Sequence, residues 1–179
     1  FYDLCDSLGM YVIDEVPFGY GDKNLSDSTY QDILLTRAKA TVERDKNHPC
    51  VIVWSIGNEN PLTPISEVTG QYVKKIDPSR PICYPMVGSY FAKRNFDMPS
   101  FIDIYSPHYP SADKITQYDK KTTKPIIFTE YSHSLGQSFE DHKPRWEAMY
   151  AATAVTGGSV WEWVEIGRAS CRERVFLPV

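Results

Sequence analysis

The feature that most limits what this chain can become is an alternation: a short apolar, β-branched run, a longer stretch with helical spacing, then another short run. Tyr11–Val16, Val51–Ile56, Ile82–Val87, Ile102–Ser106, Ile126–Thr129 and Ser159–Val164 read as buried strands. Between them Tyr30–Asp45, Pro64–Ile76 and Asp141–Thr153 carry helical spacing, and at most a short helix is expected near Ala112–Lys120. Pro49, Pro81 and Pro125 each stand just ahead of a strand, where a missing N–H costs little. Strands alternating with helices imply a parallel sheet with right-handed crossovers.

A doubly wound sheet would show the same alternation. The position of the polar residues separates the two: Asp14-Glu15, Asn58-Glu59, His108-Tyr109, Glu130 and Trp161-Glu162 all fall at the C-terminal ends of their runs. A barrel gathers those ends into one ring, where its chemistry sits. No Gly-rich phosphate loop follows any strand, as a nucleotide-binding sheet would show. The expected fold is therefore α/β, a (β/α)8 TIM barrel.

Composition closes off other classes. With 42% hydrophobic and 23% charged residues the chain has a core to build, and a net charge of −4 argues against nucleic acid as a partner. No apolar run approaches the roughly 18 residues of a membrane span. The 12 tyrosines and 4 tryptophans lean towards a site that stacks flat faces such as sugars. Cys5, Cys50, Cys83 and Cys171 show no metal or redox spacing and leave the compartment open, so localisation is unknown. The opening Phe1-Tyr2-Asp3-Leu4 lies in mid-pattern, so the chain reads as a piece of something longer.

Two blocks carry the chemistry. Cys50-Val51-Ile52-Val53-Trp54-Ser55-Ile56-Gly57-Asn58-Glu59 runs from a buried strand into an amide and a carboxylate, and Pro125-Ile126-Ile127-Phe128-Thr129-Glu130 repeats the logic. Cleaving a glycosidic bond needs two carboxyls flanking it; at about 5–5.5 Å one donates a proton while the other attacks carbon, and configuration is retained. A single strand-end glutamate is equally well read as half of a salt bridge to a helix, and two on separate strands make that reading weaker. Composition alone leaves the reaction class open.

The blocks resemble glycoside hydrolase family 2, most of all its β-galactosidase branch. The resemblance rests on Leu8-Gly9-Met10-Tyr11-Val12-Ile13-Asp14-Glu15, on the stretch from Arg44-Asp45-Lys46-Asn47-His48-Pro49 to Gly57-Asn58-Glu59, on Asp77-Pro78-Ser79-Arg80-Pro81, on Thr129-Glu130-Tyr131-Ser132-His133-Ser134-Leu135-Gly136, and on Gly157-Gly158-Ser159-Val160-Trp161-Glu162-Trp163-Val164. It implies Glu59 as general acid/base, Glu130 as nucleophile, Asn58 on the sugar 2-OH, Tyr109 as support for the nucleophile, His133 as a polar sugar contact and Trp161 as a stacking platform. For Tyr109, His133 and Trp161, packing is the alternative. Asp14 and Glu15 are expected to brace the barrel mouth, His48 to be structural, and Trp54 and Trp163 to be core.

The six runs then become barrel strands three to eight, with the first two missing, and residues 1–165 a partial catalytic domain. The chain by itself is expected to be inactive, and the full-length protein to carry additional β-sandwich domains. The reaction is that of a retaining β-glycosidase on a β-glycoside or oligosaccharide, β-galactosides first, with β-glucuronidase, β-mannosidase or a non-catalytic carbohydrate-binding barrel as alternatives.

Three stretches depart from the family pattern. Val16-Pro17-Phe18-Gly19-Tyr20-Gly21 supplies no carboxylate or imidazole where metal-binding relatives carry them, so no metal and no other cofactor is expected. Asn60-Pro61 follows the acid/base in a loop that shapes the leaving-group side. Residues 166–179, beginning Ile166-Gly167-Arg168-Ala169-Ser170-Cys171, resemble an in-frame translation of a sequencing adapter and are expected to be non-native.

Overall fold

In the computed structural model residues 1–20, 23–133 and 142–162 are described; Asp141, the Ser134-Leu135-Gly136 motif, Trp163, Val164 and the 166–179 tail lie outside them. The chain divides into two compact units, Phe1–Ser106 and Pro107–Val179.

The first unit runs α1 (Tyr2–Leu8), β1 (Val12–Tyr20), α2 (Gln31–Asp45), β2 (Val51–Asn58), α3 (Pro64–Ile76), β3 (Ile82–Met86), α4 (Gly88–Arg94) and β4 (Ile104–Pro107), whose last residue opens the second unit. The strands neighbour one another in chain order, and β1–β2 and β2–β3 are parallel. In the second unit α5 (Ala112–Lys121), β5 (Ile126–Tyr131), α6 (His142–Ala151) and β6 (Val155–Val160) follow, with β5 and β6 parallel.

Helix α3 has the bounds its periodicity predicts, and its start explains why. Thr63 caps it, accepting from the Ser66 N–H while Ser66 Oγ accepts the Thr63 N–H, and Pro64 fills the first turn. Its inner face packs so closely that a Cβ on Gly70 would stand 2.3 Å from the Phe101 ring. Two helices escape the sequence reading, α1 and α4, each only 7 residues long and too short to show a repeat.

Two strands correct it. β1 does not stop at Val16 but continues to Tyr20, with a slip in pairing between Val16 and Tyr20 that accommodates Pro17 and Gly19. Asp14 and Glu15 therefore lie in the first half of the strand rather than at the mouth. Asp14 accepts from the Tyr2 hydroxyl at 2.9 Å, and Glu15 from Ser55 Oγ at 2.7 Å across the β1–β2 ladder. The last strand is Val155–Val160, not Ser159–Val164. Gly157-Gly158 reads as a break, but a Cβ on Gly158 would stand 3.0 Å from the Tyr131 ring and 3.1 Å from the Phe128 carbonyl oxygen. Glycine there permits the close approach of β6 to β5.

Where the strands begin, aspartates tie the helices to the sheet. Asp6 accepts the Cys50 N–H and His48 Nδ1 lies 2.7 Å from its other oxygen. Asp103 accepts the Ile82 N–H and the Lys74 ammonium. Asp77 takes the Trp54 indole N–H, the Arg80 guanidinium and Ser79, and is held at about 2, these bonds outweighing its burial. Asp119 accepts the Thr153 and Ala154 N–H groups ahead of β6. The core between sheet and helices holds Leu34, Ala38 and Val42 of α2 and Trp54 of β2, all buried, and Cys5, Cys50 and Cys83 are buried free thiols.

Candidate active site

Glu59 emerges from β2 on a backbone that turns sharply left. Gly57 has φ +81° and a Cβ there would stand 2.8 Å from Asn60 Oδ1 and 3.1 Å from the Phe18 ring, so the position demands glycine. Glu59 itself has φ +56°, a left-handed conformation that costs a non-glycine residue about 1–3 kcal/mol. Bonds of its backbone and of its neighbours support this turn. Its N–H donates to the Pro85 carbonyl of β3 at 3.1 Å. Asn60, 1% exposed, accepts the Asn58 N–H and donates to the Gly19 carbonyl of β1, each at 2.8 Å. Asn60 thus braces the turn from within. Asn58 and Glu59 are half-buried.

In the second unit the Glu130 side chain, 13% exposed, sits one residue short of the end of β5. The Tyr109 hydroxyl donates to its Oε2, and the Tyr109 N–H donates to its carbonyl at 3.0 Å. His108, with only 1% of its side chain exposed, brings Nδ1 to 3.5 Å from the same Oε2 and Nε2 to 2.9 Å from Thr129 Oγ1. The His133 ring lies 5.4 Å from that of Tyr109. Tyr109 and Ser132 are left-handed, with φ +48° and +49°. Arg145 of α6 fastens these ends together, donating from Nε to the Pro110 carbonyl at 3.0 Å and from Nη1 to Ser132 Oγ at 3.4 Å. Trp161, 41% exposed, follows β6 and donates its N–H to the Tyr131 carbonyl at 3.1 Å.

Tyr109, His133 and Glu130, singled out separately in the sequence, are therefore neighbours, while Asn58 and Glu59 share one turn of the first unit. Sequence reasoning gave no role to His108 and placed Asn60 only in the loop on the leaving-group side. The dipeptide His108-Tyr109 at a strand end is the signal that pointed to the first, and nothing in the sequence pointed to the bracing bonds of the second.

Asp3, Asp6 and His48 bring one ligand atom each within 4.8 Å of one another. Asp6 is already engaged by Cys50 and His48, and Asp3 is almost fully exposed, so the group serves the start of β2. Among the described residues no helix is long and apolar enough to cross a membrane.

The chain matches the family described as glycosyl hydrolases family 2, TIM barrel domain, over residues 1–176. It is 34% identical over 177 residues to a β-galactosidase of Vibrio cholerae serotype O1, covering 93% of this chain and 17% of that protein. Among solved structures it is similar to a GH2 β-galacturonidase from Eisenbergiella tayi, with a TM-score of 0.73 at 19% identity over 89% of this chain and 34% of that one. It also resembles a β-D-glucuronidase of Dictyoglomus thermophilum, with a TM-score of 0.71 at 21% identity over 89% and 35%. The chain thus spans about 17% of the length of the curated relatives it matches.

Proposed function

This chain belongs to glycosyl hydrolase family 2 as part of its TIM barrel domain, and on that premise we propose that the whole protein is a retaining β-glycosidase with Glu59 and Glu130 as its two carboxyls. The described residues supply six of the eight strands of such a barrel. The observation that carries the reading is the Glu130 carboxylate at a strand end, with the Tyr109 hydroxyl on one oxygen. A donor on an ionised carboxylate fixes its orientation for attack.

The reaction follows from the two groups. Glu130 attacks the anomeric carbon as the bond to the leaving oxygen breaks, and Glu59 gives that oxygen its proton. Glu59 then takes a proton from water, which displaces Glu130 from the same carbon. Asn58 holds the sugar 2-OH, Trp161 offers an exposed apolar face for the ring, and His133 makes a polar contact to the sugar. β-Galactosides are the preferred substrates, a reading supported by the identity to β-galactosidases.

A panel of aryl β-glycosides on the full-length enzyme tests the proposal. β-Galactosides should turn over fastest, with the β-configured product released first. A preference for β-glucuronides or β-mannosides would move the substrate assignment within the family. An inverted product, or no hydrolysis of any member, would overturn the mechanism.

A further inference from the structure

We propose that His108 is a positioning residue for Glu130, a role that rests on the reading of Glu130 as nucleophile. Consecutive strand residues point to opposite faces, so Thr129 and Glu130 would ordinarily share no side-chain neighbour. His108 touches both because the Tyr109 N–H, bonded to the Glu130 carbonyl at 3.0 Å, holds the His108-Tyr109 segment along the end of β5. The ring then reaches Thr129 Oγ1 with one nitrogen, at 2.9 Å, and faces Glu130 Oε2 with the other, at 3.5 Å.

The chemistry of the partners assigns the tautomer. An ionised carboxylate only accepts, so the nitrogen facing it, Nδ1, is the one that carries hydrogen in the neutral ring. Nε2 is then the acceptor, and Thr129, whose hydroxyl can donate, fills it. Thr129 thereby sets which nitrogen of His108 presents its N–H to the nucleophile. Tyr109 and His108 both address Oε2, so Oε1 is the oxygen that attacks. At 3.5 Å the Nδ1 contact is long, as catalytic hydrogen bonds commonly are before substrate arrives. Burial of the ring keeps water from competing for the carboxylate on that side.

The test uses the full-length enzyme and a 2-deoxy-2-fluoro-β-galactosyl fluoride, which forms the glycosyl-enzyme and releases it slowly. Mass spectrometry must first find the label on Glu130 in the wild type; a label elsewhere refutes the nucleophile assignment itself, independently of His108. With that label in place, His108→Leu should slow the labelling rate constant roughly 10- to 100-fold, the loss of one hydrogen bond to a charged group, while inhibitor affinity changes less than about 3-fold. His108→Asn keeps an N–H at the δ position and should recover most of the rate, whereas His108→Gln, with its amide at the ε position, should stay near Leu. Thr129→Val should slow labelling by about 3- to 10-fold in the wild type and add little to His108→Leu, because it acts through the ring. Melting temperatures identify any variant that misfolds; should Leu do so, Asn, Gln and Thr129→Val carry the comparison. Unchanged labelling in His108→Leu, or Asn no faster than Gln, overturns the proposal.

Discussion

Asp77 and Glu59 lie at opposite ends of neighbouring strands, and their surroundings differ in kind. Asp77, ahead of β3, is buried and has both oxygens committed, to Trp54, Arg80 and Ser79. Glu59, past the end of β2, is half-buried and is fixed through its backbone, by a left-handed turn and a bond to Pro85. The pattern recurs along each unit. Asp6, Asp103 and Asp119 each accept a backbone N–H where a strand begins. Past the strand ends come Glu59, Tyr109 and Ser132, all with positive φ. Bonded carboxylates lock the sheet to its helices, whereas strained turns past the strand ends aim side chains. Stability and activity should therefore separate along the strands.

The largest effect belongs to Glu130→Gln in the full-length enzyme. Turnover should fall by about 10³-fold or more with the melting temperature scarcely lowered, measured side by side by hydrolysis and thermal melting. Its counterpart Glu59→Gln should spare substrates with good leaving groups, and equal losses on good and poor ones would break the acid/base assignment. At the other end, Asp77→Ala leaves the Trp54 N–H without its acceptor and Arg80, which keeps its bonds to the Val51 and His48 carbonyls, without its counter-ion. It should cost about 3–5 kcal/mol of stability while kcat, measured well below the melting point, stays near wild type. A large drop in kcat at full folding would erase the distinction between strand ends.

Tyr109→Phe removes one donor from Glu130 and should lower kcat by roughly 10- to 100-fold, with KM and melting temperature little altered. The smallest effect is one of pH. Burial and the adjacent Asp45 carboxyl push Asp14 up from 3.8 to about 6. The folded form thus holds this proton more tightly than the unfolded form, and that share of stability is present below about pH 4 and lost as pH rises through 6. Asp14→Asn should therefore gain on the wild type in melting temperature between pH 4.5 and pH 7. A gain that shrinks towards pH 7 would show that Asp14 is not the group responsible.

Legibility in the sequence followed the same division. Alternation and β-branched runs expose β2, β3 and β5 because a buried strand shows as an unbroken apolar run. Helix α3 announces itself through its spacing from Pro64 to Ile76. The β1 and β6 errors arise at Pro17, Gly19 and Gly157-Gly158, where residues that normally break strands are instead required by a pairing slip or a close approach. In the candidate site, Glu59 and Glu130 stand out as carboxylates after apolar runs. Asn60 stands out only as a loop residue on the leaving-group side, and its bracing of the turn is hidden until its two bonds are seen. His108 is legible as a strand-end polar group, but its contacts with Thr129 and Glu130 depend on long-range alignment that no local pattern encodes.

The buried thiols give this protein an internal clock. Cys83 lies wholly within the sheet, its pKa pushed up to about 12 by burial and by the nearby Glu15 carboxylate, with Ser55 only partly offsetting them. Only the thiolate reacts readily with an alkylating reagent, so in the closed structure the residue is chemically silent at neutral pH. Each alkylation event must then wait for the β1–β3 layer to part, and with reclosing faster than alkylation its rate follows the population of the parted form. Cys83 can report, without any engineered probe, how much of the time the strand that carries Glu59 is parted from its neighbours.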